Sequence, residues 1–156
     1  MPTDEHEYIM PLLAYFIVGW GRQHQATIFG SGYKVKIAEN RGVMPDLHVY
    51  LPTNRADRRT HGVFSGHPDL AVEIISTSSR RYDRVTKLQW YASIGVPEYW
   101  LVDPADRTLE RFVLGTDGFY GVRESLTDDA IFRPESFPGL EIPLAELWSV
   151  TPPSEG

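Results

Sequence analysis

The chain predicts an α/β domain, a mixed α+β sheet flanked by helices. Three observations carry this. Ile9, Leu12, Leu13, Phe16, Ile17 and Trp20 recur at helical spacing near the start. Two apolar runs, residues 69–76 and 98–102, bracket a helix-length stretch ending at Gly95. Short alternating segments separated by Gly, Asn and Asp turns read as hairpins.

Taken in order, residues 4–24 predict a helix. Asp4 with Glu7 forms a capping-box-like start, although Pro11 moves the expected first turn toward Met10. Gly19 and Gly21 weaken its end. Residues 26–30 and 33–38 predict strands around Gly30-Ser31-Gly32, the second with one wet face set by Lys34 and Lys36. Asn40-Arg41-Gly42 predicts a turn and residues 44–51 a strand. A polar loop covers 52–67. Residues 69–76 predict a buried strand and 80–94 a helix capped by Gly95. Strands follow at 98–102, 108–114 and 119–125, and FPGLEIPLAELW predicts a turn and a short closing helix.

The 156 residues suit one domain with a single core, expected over residues 1–150, with a disordered tail at 151–156. Hydrophobic residues at 42% and charged residues at 23% are ordinary globular values. No cysteine is present, which excludes disulfides and cysteine-held zinc or iron–sulfur centres. The first residues lack a basic n-region, and the longest apolar run is too short to span a bilayer. A cytoplasmic location with no membrane association is expected. The net charge of −6 argues against a protein that coats DNA non-specifically. The positive charge is clustered instead, at Arg55, Arg58, Arg59 and His61, and at Arg80, Arg81, Arg84 and Lys87.

The chemistry sits in two isolated acids. Glu73 stands among Leu70, Ala71, Val72, Ile74 and Ile75, where a carboxylate is costly unless paired, protonated or bound to metal. Asp46 follows Pro45 at the head of another short apolar run. Two carboxylates and a backbone carbonyl, here that of Ile74, form a donor set that magnesium accepts. A nearby lysine stabilises charge in phosphodiester hydrolysis. Strand parity puts Ile75 where a lysine two residues after the acid would stand, which leaves Lys87 on the following helix as the candidate. Arg84 lies one helical turn before it.

The order PDLHVY, then PDLAVEIISTSSRRYDRVTKLQWYASIGVPEYWLVDP, then PGLEIPLAELW resembles the putative restriction endonuclease family of the PD-(D/E)XK nuclease superfamily, from about His6 to Trp148. The resemblance implies a restriction-endonuclease-like fold and Mg²⁺-dependent (or Mn²⁺-dependent) endonucleolytic cleavage of DNA. It implies Asp46 and Glu73 as metal-holding catalytic acids and Lys87 as the migrated catalytic lysine. A homodimer is expected, as superfamily members pair to cut both strands. Family members usually begin with a further helix and strands. This chain starts too late to contain them, so the sheet is expected to lack edge strands.

The bland readings are specific. Asp46 has a bland reading as a strand start or turn cap, Lys87 one as a solvated helix residue and Asp69 one as a strand opener. Arg80, Arg81 and Arg84 read as a DNA phosphate clamp or as a solvated first turn. Trp90, Tyr91, Tyr99 and Trp100 read as core or dimer contacts. The histidines show no zinc-like spacing, although His48 shares Asp46's face. Two rivals to the nuclease remain. One is a catalytically degenerate nucleic-acid-binding or assembly domain of the same fold. The other is a metal-dependent hydrolase of another substrate.

Overall fold

The computed structural model describes residues 4–54, 63–64, 66–76 and 82–148, with only the backbone for Asp4, 63–64 and 82–84. Helix α1 (Asp4–Gln23) leads into β1 (Thr27–Gly30), β2 (Lys34–Ala38), β3 (Arg41–Val43), β4 (Leu47–Tyr50), β5 (Val63–Phe64) and β6 (Leu70–Ile74). A π-helical segment (Tyr82–Lys87) continues into α2 (Leu88–Ser93). Strands β7 (Glu98–Asp103), β8 (Thr108–Leu114), β9 (Tyr120–Thr127), β10 (Ile131–Phe132) and β11 (Ile142–Pro143) precede α3 (Leu144–Trp148).

The main sheet has the order β1-β4-β6-β7-β8-β9. Within it only β6 and β7 pair in parallel, from Leu70↔Glu98 to Ile74↔Val102. That pairing requires a crossover, which the π-helical segment and α2 supply. The crossover ends on a Schellman motif: Gly95 at φ +82 lets its own N–H reach the Ala92 carbonyl and the Val96 N–H reach that of Tyr91.

Each face of the sheet carries its own core. On one, Ile9, Leu13, Ile17 and Trp20 of α1 pack against Leu47, Val49, Leu70, Val72, Trp100 and Val102, joined by Leu144 and Leu147 of the closing helix. On the other, Tyr91 and Val96 pack with Ala71, Ile75, Tyr99, Leu101 and Phe112, under Val35 and Val43 of a small sheet ordered β3-β2-β5. Glu73 shares the parity of Ala71 and Ile75, so its carboxylate points into this second layer. No described helix is long and apolar enough to cross a membrane.

Several expectations are corrected. Helix α1 runs through Pro11. An interior proline costs about 3 kcal/mol, but burial of Ile9 and Leu13 on either side holds the helix on the sheet. Gly21 lets the end of α1 sit close to β1: a Cβ there would lie 2.4 Å from the tip of the Ile28 side chain, which would have to shift. Arg41–Val43 is a strand, pairing back on β2 past a bulge at Lys36/Ala38. The strand expected over 44–51 opens at Leu47, because Pro45 has no N–H for a ladder. The helix expected over 80–94 is π-helical through Lys87 before becoming α. Residues 151–156 lie outside the described residues.

A buried ion pair locks β7, β8 and β9. Glu98 Oε1 accepts from Arg111 Nε at 2.9 Å and Ser136 Oγ at 2.6 Å, and Oε2 accepts from Trp100 Nε1 at 3.1 Å. Arg111 Nη1 reaches Glu124 Oε1 at 2.9 Å. Arg111→Leu leaves Glu98 buried without its cation and should cost about 3–5 kcal/mol in urea unfolding; a loss under about 1 kcal/mol would contradict this reading.

His48 is fully buried, its imidazole 3.2 Å from the Gly30 carbonyl and 2.9 Å from the Tyr50 hydroxyl. Burial pushes its pKa down to about 4, only partly opposed by the Gly30 bond. The unfolded chain takes up this proton first as pH falls. The resulting stability is therefore complete above about pH 6.5 and is lost progressively toward pH 4. The stability difference between wild type and His48→Gln should shrink across that window by up to about 3 kcal/mol; a difference independent of pH would contradict the assignment.

Candidate active site

The site forms where β4 begins and β6 ends. The last register pair between these strands is Leu47↔Val72. Asp46 and Glu73 are the next residues outward, one on each strand, and antiparallel pairing puts them on one face. The Asp46 carboxylate does what the missing ladder would do: Oδ2 accepts the Ile74 N–H at 2.8 Å. In an extended strand a residue's N–H and C=O lie on the same edge, so the Ile74 carbonyl turns toward the Asp46 side. The Ile75 N–H turns the other way, to Val102 O at 2.8 Å. The carbonyl of Ile74 thus lies on the strand edge that faces Asp46.

Glu73 is 2% exposed, and both of its oxygens are engaged. Tyr91 Oη donates to Oε1 at 2.7 Å, and Lys87 Nζ stands 3.1 Å from Oε2. Lys87 and Tyr91 are four residues apart across the junction of the π-helical segment with α2, which places both on the helix face over the sheet. Widened π turns recur at functional sites because they re-aim side chains. Tyr91 is held rigidly, fully buried and 5.2 Å from the Tyr99 ring between centroids. Burial first, and then the charge of Glu73, pushes its hydroxyl well above the ordinary tyrosine range, so it stays a proton donor.

Helix α1 brings a further residue. His6 Nε2 lies 3.0 Å from Asp46 Oδ1, with both side chains 15% exposed, and His6 Nδ1 is 3.7 Å from Glu7 Oε1. The Asp46 hydrogen bond raises the His6 pKa against the opposing effect of burial. The charges of Asp46, Glu7 and Glu73 add to the rise.

The structure therefore brings together Asp46, Glu73, Ile74 and Lys87, the sequence-expected set. It adds His6 and Tyr91, which sequence reasoning missed. Tyr91 was legible as Lys87's i+4 neighbour; His6, 40 residues before Asp46, left no local signal. Asp69 stands at the opposite end of β6, where Oδ2 accepts from Leu51 N at 2.7 Å and Asn54 Nδ2 at 3.0 Å, so it anchors a loop. His48 shares Asp46's face but bonds Tyr50 and Gly30. Tyr99 and Trp100 are core, and Trp90 lies beneath the Arg41 guanidinium, 5.1 Å from the ring centroid. Arg55, Arg58, Arg59, His61, Arg80 and Arg81 lie outside the described residues, and for Arg84 only the backbone is described.

The donor set fits magnesium. Mg²⁺ takes one or two carboxylates with carbonyl and water oxygens and keeps much of its hydration. Two carboxylates flanking a strand carbonyl supply that set. Among the described residues no group of three or more His, Cys, Asp or Glu side chains converges as in an all-protein cage. The lysine is part of the same balance. Lys87→Met leaves Glu73 buried beside a neutral neighbour and should destabilise the fold by about 3–5 kcal/mol. Tyr91→Phe removes one donor and should cost about 1–3 kcal/mol. Urea unfolding that ranks the two in the opposite order would contradict the assignment of Lys87 as the main partner of Glu73.

Comparisons with known proteins bear on the family and the fold. The family model Uma2, described as putative restriction endonuclease, matches residues 1–145. A solved structure described as a putative nuclease belonging to DUF820, from Anabaena variabilis, superposes with a TM-score of 0.76. It is 22% identical and the match covers 96% of this chain and 83% of that one, a likeness of fold. No curated protein matches the sequence. The chain belongs to the Uma2 family of putative restriction endonucleases and carries a restriction-endonuclease-like mixed α/β fold.

Proposed function

We propose that the protein is a metal-dependent endonuclease that hydrolyses DNA phosphodiester bonds. The observation that carries this is the meeting of Asp46 and Glu73 at one sheet end, with the Ile74 N–H 2.8 Å from Asp46 and Lys87 Nζ 3.1 Å from the buried Glu73. Asp46, Glu73 and the Ile74 carbonyl would hold Mg²⁺ or Mn²⁺. Such an ion supplies neutralising charge at the phosphate and acidifies a coordinated water.

The protein's own residues do the rest. The Ile74 N–H fixes one oxygen of Asp46, and Tyr91 fixes one oxygen of Glu73, so each carboxylate enters the reaction already oriented. Lys87 is a localised charge on a long flexible stem, suited to stabilising negative charge that develops on attacking water and phosphate. Family membership and the fold support nuclease chemistry. DNA as the substrate fits the clustered arginines at 80–84, proposed here as phosphate contacts.

The test is relaxation of supercoiled plasmid by purified protein with Mg²⁺ or Mn²⁺, against EDTA and the near-isosteric Glu73→Gln. Nicking that requires the metal and falls at least about a hundredfold in Glu73→Gln is expected. Nicking that survives Glu73→Gln, or folded wild type that binds DNA without cutting in either metal, would contradict the proposal. The latter result would favour a binding domain of the same fold.

A further inference from the structure

We propose that His6 is a positioning residue for Asp46, which makes the first turns of α1 a working part of the site. The inference rests on the reading of Asp46 as a metal-holding acid. A carboxylate just before a strand has two side-chain torsions to fix, and one hydrogen bond leaves it free to swing. Here Oδ2 is taken by the Ile74 N–H of the sheet at 2.8 Å and Oδ1 by His6 Nε2 of α1 at 3.0 Å. Both His6 and Asp46 are 15% exposed, so water competes little for this bond. The backbone supports the same reading. Helix α1 continues through Pro11 toward its N-terminus in spite of the interior penalty, with Ile9 buried as its anchor. That continuation is what carries His6 to the sheet end. Hydrogen-bond partners of metal-holding groups commonly set affinity, and losing one typically costs 10–100-fold.

The alternative is that His6 merely pins the helix, and metal affinity separates the two. Mn²⁺ binding to the full chain is followed by the EPR signal of unbound Mn²⁺. Wild type is compared with His6→Ala, His6→Leu (which keeps bulk without a donor), His6→Gln (which restores an N–H), Ile9→Ala and Asp46→Asn. The expected pattern is a weakening of about 10–100-fold in His6→Ala and His6→Leu, recovery of most of it in His6→Gln, and unchanged affinity in a less stable Ile9→Ala. Wild-type affinity in either folded donor-less variant, or His6→Gln as weak as His6→Leu, overturns the inference alone. Wild type that binds no Mn²⁺, or Asp46→Asn that binds as tightly as wild type, overturns the reading of Asp46 and the inference with it.

Discussion

The fold is organised around one buried carboxylate. Glu73 sits in the middle layer of a strand whose other side chains are all buried. An unpaired ionised group there would cost several kcal/mol, a large part of the stability of a whole domain. The crossover between β6 and β7 has to answer that charge as well as connect the strands. It does so with Lys87 and Tyr91, presented on one helix face over the sheet. The same solution that makes the strand tolerable places a cation and a proton donor beside an acid at the end of the sheet.

The molecule contains a second buried acid–cation pair, and the contrast is informative. Glu98 is enclosed by the Arg111 guanidinium, Ser136 and Trp100, groups drawn from β7, β8 and the segment after β10. That is a closed lock: a planar fork against a carboxylate, with the remaining acceptor positions served by other donors. Glu73 instead faces a lysine, a compact charge on a flexible stem, and has Asp46 as its neighbour across the strand pair. One arrangement holds strands together; the other gathers negative oxygens at a sheet end and keeps a lysine ammonium beside them.

Much of this was legible in the sequence because the signals were local. An acid within LAVEII marks a buried carboxylate, proline before Asp46 marks a strand head, and Gly95 marks the helix end that its φ of +82 bears out. Errors arose where long-range packing overrides local preference. Pro11 reads as a helix boundary, yet burial of Ile9 and Leu13 carries the helix past it. Asn40-Arg41-Gly42 reads as a turn, yet Val43 is drawn into the second core and makes the segment a strand. His6 could not be placed at all, because nothing near it in sequence names Asp46 as its partner. Tyr91 reads from sequence as a core or dimer contact; it is core, and its hydroxyl has a destination, Glu73, that only the packing of α2 on β6 defines.

The central claim is that the Asp46–Glu73–Ile74 corner holds a divalent metal. Crystals grown or soaked with Mn²⁺ and measured for anomalous scattering address it directly. The account predicts a single strong anomalous peak within about 2.0–2.3 Å of carboxylate oxygens of both acids and of the Ile74 carbonyl, near magnesium's coordination distance. A peak held by other residues, or no peak at this corner at saturating Mn²⁺, would contradict it.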